Sequence, residues 1–73
     1  MNDNDMQQLS GIFKAVADPT RRKILFLLRK NGQMSVGEIA RSVGASQPAT
    51  SQHLRVLREA KVVVAAKSGQ HIH

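Results

Sequence analysis

With 73 residues the chain has room for one small domain. A domain near this size buries only about 60% of its unfolded surface, which leaves too little chain for a catalytic cleft with supporting residues around it. It contains no cysteine, so disulfides and thiolate metal sites are excluded. No apolar run approaches membrane-spanning length and the start "MNDNDMQQ" is acidic and polar, unlike a signal peptide, so a soluble cytoplasmic protein is expected. The net charge of +6 is unevenly spread: residues 1–20 set Lys14 against Asp3, Asp5 and Asp18, whereas residues 21–73 set ten bases against Glu38 and Glu59. This asymmetry suggests a polyanionic partner, nucleic acid ahead of an acidic membrane, against the plainer reading of a solvated basic face.

Residues 1–5 are expected to fray. Met6, Leu9, Ile12 or Phe13, and Val16 then recur at helical spacing and predict a first helix that stops at "ADPT". There Asp18 is a good N-cap and Pro19 suits the first position of a second helix, running to about Lys30 on the apolar residues Ile24, Leu27 and Leu28. Asn31-Gly32 ends it, since both residues tolerate the left-handed conformation. "SVGE" at 35–38 is a capping box opening a third helix, with Val36, Ile39, Ala40 and Val43 on its apolar face and Gly44 closing it. Ser46 can cap a fourth helix, and Pro48 is acceptable in its first turn because those amides lack intrahelical partners. Thr50, Leu54 and Leu57 share its apolar face, and it ends near Ala60 or Lys61. "VVVAAK" at 62–67 reads as a strand, Ser68-Gly69 as a tight turn, and "QHIH" as the start of a returning strand.

The predicted fold class is therefore mainly α with a small β-hairpin: one winged helix-turn-helix domain over 1–73, with the helix-turn-helix at about 35–60 and the wing at about 62–73. Two short helices joined by a three-residue, glycine-containing turn carry the helix-turn-helix signature, whose second helix enters the major groove. The composition of "SQPATSQHL" at 46–54 suits a groove-entering helix, since it offers short donors and acceptors and no carboxylate for phosphate to repel. With Thr50, Leu54 and Leu57 buried, the spacing turns Pro48, Ser51, Gln52 and Arg55 outward, with Gln47 at the leading end. Glutamine pairs bidentately with adenine and arginine with guanine, so Gln47, Ser51, Gln52 and Arg55 are the base-reading candidates. Ser46 and Ser51 can also bond phosphate. Lys67, Gln70 and His71 of the wing are candidates for backbone or minor-groove contact. Arg21 and Arg22 sit where the second helix's dipole disfavours cations; a phosphate contact and a local ion pair with Asp18 are the two readings.

Taken together, "DPTRRKIL", "MSVGEIA" and "SQPATSQHLRVLREA" resemble, in order and spacing, the ArsR-type winged-helix repressors of bacteria, over about residues 9–73. The resemblance implies a homodimeric transcriptional repressor that releases a palindromic double-stranded DNA operator when an inducer binds. It also implies a recognition helix over 46–58 and places base and phosphate contacts on Gln47, Pro48, Ser51, Gln52 and His53. Three departures matter. Many members sense thiophilic metals through cysteines flanking a valine at the start of the third helix; Ser35 and Gly37 stand there. The family usually continues into a C-terminal helix that helps dimerisation; here either the sequence continues beyond His73 or the first helix supplies the interface. A glycine commonly follows the recognition helix; Lys61 stands there, so the helix ends differently or accepts strain.

No metal or other cofactor is expected. His71 and His73 share a strand face, but zinc wants at least three protein ligands. An enzyme is not expected either: there is no phosphate loop, and Ser46, Ser51 and His53 on one helix are better explained by capping and groove contacts. The competing function is a winged-helix module that binds protein instead of DNA. Salt dependence separates the two, because phosphate neutralisation makes affinity fall steeply with salt.

Overall fold

Each helix boundary is set by a side chain that satisfies a free backbone group. The computed structural model of the chain describes residues 1–65 together with the backbone of His71 and Ile72. Asn2 caps α1 (Asp3–Ala17), its Oδ1 accepting the Asp5 N–H at 2.9 Å, and Asp3 and Asp5 complement the dipole in the first turn. The helix thus begins inside the segment expected to fray, because Asn2 supplies a cap. Asp18 caps α2 (Pro19–Asn31) by accepting the Arg21 N–H at 3.0 Å, and Gly32 ends it at φ 78° with its N–H on the Leu28 carbonyl. The capping box of α3 (Val36–Val43) is complete: the Glu38 N–H donates to Ser35 Oγ at 3.1 Å and the Ser35 N–H donates to Glu38 Oε1 at 3.0 Å. Gly44 follows in the left-handed conformation.

The last helix, α4 (Gln47–Glu59), is capped by Ser46, whose Oγ accepts the Ala49 N–H at 3.2 Å. Its far end carries the strain anticipated at Lys61, which adopts φ 63°. The Val62 N–H bonds the Leu57 carbonyl at 3.1 Å and the Lys61 N–H bonds that of Arg58 at 2.9 Å, the paired bonds of a Schellman motif with lysine in the position that favours glycine.

The helices meet in one core of Ala15, Ile24, Leu28, Met34, Ile39, Leu54, Leu57 and Val63, with α4 lying against α1, α2 and α3. Ile24, Ile39, Leu54 and Leu57 are fully buried, and each contributes about 1.5–3 kcal/mol of transfer free energy. The apolar stripe of α1 behaves differently: Met6 is 55% and Phe13 66% exposed, and Ala15 is the buried residue of the helix. Part of the periodicity that predicts this helix, Met6, Leu9 and Phe13, therefore lies on a face the single chain leaves open, whereas Ile12 and Val16 are half-buried.

The sheet departs from expectation. β1 (Met34–Ser35) pairs antiparallel with β2 (His71–Ile72), in register Met34 with Ile72 and Ser35 with His71. The returning strand is where the sequence places it, but its partner among the described residues precedes α3. "VVVAAK" is not a regular strand from Val62 to Ala65; Ala65 alone makes a bridge. The Schellman turn at Lys61 folds Val62 and Val63 back onto the bundle, so Val63 is buried in the core instead of extending a ladder. Lys67, the Ser68-Gly69 turn, Gln70 and His73 lie outside the described residues. No helix among the described residues is long and apolar enough to cross a membrane.

Candidate nucleic-acid interface

The turn between α3 and α4 fixes the site. Gly44, at φ 70°, reverses the chain, and the Ala45 N–H returns to the Ala40 carbonyl at 3.0 Å. Ser46 then satisfies the Ala49 amide and Pro48 has no N–H to satisfy, so the Gln47 amide is the first-turn donor still available at this end. Ser46 Oγ accepts in the cap, and its hydroxyl proton is free to donate elsewhere.

The two sides of α4 are sharply different. Thr50, Leu54 and Leu57 are 0%, 1% and 0% exposed. Gln47, Pro48, Ser51, Gln52 and Arg55 are all exposed, so the expected base-reading set of Gln47, Ser51, Gln52 and Arg55 lies with Pro48 on one outward side. No acidic residue lies in the first turn of the helix. Arg55 is engaged: its Nε donates to Glu59 Oε1 at 3.0 Å, one turn on. Both partners are well exposed, and such pairs are worth only about 0–1 kcal/mol. The guanidinium can therefore exchange this carboxylate for a base or phosphate at small cost.

His53 is set apart from this group. Its side chain is 24% exposed and its Nδ1 lies 3.4 Å from Arg21 Nη1 and 3.9 Å from Asp18 Oδ2. The ring faces the start of α2. Arg21 and Arg22 correct the expected ion pair with Asp18. Arg21 donates from Nε to the Ala15 carbonyl at 2.6 Å and from Nη2 to that of Lys14 at 3.0 Å. Arg22 donates from Nη1 to Val16 at 2.8 Å and to Ala17 at 2.9 Å. Their guanidinium groups cap the C-terminus of α1, where the dipole favours cations. Asp18 receives the Arg21 backbone amide instead of its side chain. That hydrogen bond, with the neighbouring His53 and Arg21, holds its carboxyl below the ordinary value of 3.8 despite partial desolvation.

A shallow groove between the starts of α3 and α4 is lined by Ser35, Val36, Gly37, Gln47 and Ser51. A Cβ on Gly37 would stand 3.4 Å from Gln47 Nε2 and 3.5 Å from Arg41 Nη1. Gly37 and Arg41 thus belong to the surroundings of the interface, which sequence reasoning misses. The available signal is their i, i+4 spacing on α3, opposite its buried Ile39 and Ala40.

A helix-turn-helix with its apolar side sealed and its hydrogen-bonding side outward, next to a small sheet, defines a winged helix-turn-helix DNA-binding protein. Residues 18–64 match the family described as "Bacterial regulatory protein, arsR family", and the chain belongs to that family. Similar proteins include the transcriptional repressor SdpR of Bacillus subtilis, 46% identical over 89% of this chain and 71% of its own. The arsenical resistance operon repressor of Escherichia coli is 37% identical over 85% of this chain and 53% of its own. Among solved structures, NolR from Sinorhizobium fredii superposes with a TM-score of 0.80 at 39% identity, covering 94% of this chain and 68% of that one. The homodimeric winged helix-turn-helix DNA-binding domain of a Mycobacterium bovis protein gives 0.84 at 28% identity, covering 99% and 68%. The chain is a DNA-binding transcriptional regulator, and the protein-binding alternative is not supported.

Proposed function

We propose that this protein is a cytoplasmic, homodimeric repressor that grips a palindromic operator, with α4 of each protomer in a major groove. Gln47, Ser51, Gln52 and Arg55 read base edges, while Ser46, Pro48 and the Gln47 amide seat the start of the helix against phosphate. Lys67, Gln70 and His71 of the wing contact the backbone alongside. The observation that carries this reading is the division of α4 into a sealed apolar side and an open polar side. The open face of Met6, Leu9 and Phe13 on α1 supports dimerisation through that helix. The homodimeric relative from Mycobacterium bovis is consistent with it.

Selection of binding sites from random duplex DNA tests the proposal. The expected outcome is an inverted repeat whose half-sites are separated by about 34 Å, one turn of DNA. Affinity for the selected duplex should fall with log salt at a slope of roughly 0.9 per phosphate contact. Recovery of no common sequence, or a nearly flat salt response, would refute it.

A further inference from the structure

Among the described residues, the recognition helix has a polar tie to the start of α2 at His53, beside the base-reading side chains. Three elements meet there: the last turn of α1, the first turn of α2 and the second turn of α4. The Arg21 guanidinium spans them. Its Nε and Nη2 are held by the Ala15 and Lys14 carbonyls at 2.6 and 3.0 Å, which fixes the plane of the group and with it the edge that carries Nη1. That edge faces His53 Nδ1 at 3.4 Å. A guanidinium has only donors, so a hydrogen bond across this contact requires Nδ1 to accept, which places the proton of a neutral imidazole on Nε2. The competing influence is Asp18, whose carboxylate would favour a proton on Nδ1. Its Oδ2 is 3.9 Å away, outside hydrogen-bond reach, and already accepts the Arg21 amide at 3.0 Å.

We propose that Arg21 is a positioning residue for DNA binding: clamped on α1, it holds the His53 ring as the Nε2–H tautomer, leaves that N–H as a donor to a DNA phosphate, and fixes α4 relative to α1. This rests on the reading of α4 as the groove-binding helix. His53 follows Gln52 directly and remains partly exposed, so a backbone contact there would set the depth at which Gln52 meets a base. The same clamp refers each recognition helix to the helix that carries the exposed apolar stripe.

The test uses the full chain and its selected duplex. Two-bond ¹⁵N–¹H correlation spectra of the free protein should show His53 with an unprotonated Nδ1 and a protonated Nε2. Arg21→Lys, which cannot fork to two carbonyls and the ring, should mix the two tautomers. It should also weaken binding to the selected duplex about tenfold, the loss expected for one hydrogen bond to a charged phosphate. Removing two caps from α1 can also unfold the chain, so His53 is varied separately. His53→Phe should lose a similar factor, and His53→Gln, which supplies both an acceptor and a donor, should recover most of it. A proton on Nδ1 in the wild-type spectrum overturns the proposal. So does an Arg21→Lys protein with a lower melting temperature but an unchanged ring spectrum and unchanged affinity. If the wild-type protein selects no duplex, the phosphate contact falls with the α4 reading, while the spectrum still decides the Arg21–His53 tautomer.

Discussion

Thr50 offers a direct test of which side of α4 is structural. Its side chain is completely buried, and its Oγ1 has no hydrogen-bond partner among the described residues. A buried hydroxyl without a partner costs about 1–3 kcal/mol relative to one that is satisfied or replaced by an apolar group of the same shape. Valine is that group: it is β-branched like threonine and has nearly the same helix propensity, so neither rotamer nor backbone terms should change much. Thr50→Val should therefore stabilise the protein by about 1–2 kcal/mol, or roughly 4–16 °C in melting temperature for a domain this small. Urea and thermal unfolding followed by circular dichroism, at one fixed protein concentration because dimerisation contributes to stability, would measure it. The urea m-value should stay constant and DNA affinity should not change, because the residue faces the core. A loss of stability would show that the hydroxyl is bonded in solution and that the inner side of α4 is polar in a way the packing does not reveal.

Gln52→Ala is the complementary change on the outer side: it should cost about 1–3 kcal/mol of binding at the selected site and relax its sequence preference. Equal losses on selected and random duplexes would remove Gln52 from the base-reading set. Lys61→Gly should relieve the left-handed lysine, worth about 1–2 kcal/mol, at the cost of a floppier unfolded chain, for a net gain of about 0.5–1 kcal/mol in urea unfolding. Asp18 titrates below its ordinary 3.8 in the folded chain, so its contribution is complete above the unfolded value and disappears as pH falls through the folded one. Asp18→Asn keeps an equally good cap, so unfolding measured from pH 6 downward should show a shallower acid limb than wild type. An unchanged limb would mean that other carboxylates set it.

The legible parts of this molecule are the local ones. Ser35 with Glu38, Gly44, Ser46 and Asp18 each act within three or four residues of their position, and each boundary falls where its capping chemistry puts it. The buried triad of α4 follows from a helical period applied over two turns. The polar side follows from it by subtraction, which is why the expected set at Gln47, Pro48, Ser51, Gln52 and Arg55 emerges intact on the surface. What escapes the sequence is non-local. Met34–Ser35 are too few residues to carry a strand period, and their partner lies 36 or more positions on, at His71–Ile72. Val62 and Val63 carry β-branched character that a hairpin and a core can both use; the turn at Lys61 decides for the core. His53 groups with its groove-facing neighbours in sequence, yet its ring meets a residue 32 positions away.

Arg21 and Arg22 show most clearly why a helix read alone misleads. Within α2 both are misplaced, since cations at a helix start oppose its dipole. But Asp18 is at once the last cap of α1 and the first cap of α2, so the free carbonyls of one helix and the free amides of the next lie one residue apart. Charges of opposite sign are needed within a few residues of each other. The aspartate serves the amides of α2, and the two arginines reach back to four carbonyls of α1. A pattern that looks like conflict in one helix is complementary across two. It also leaves one guanidinium edge over for the recognition helix, and that edge is where the packing of this small chain touches its function.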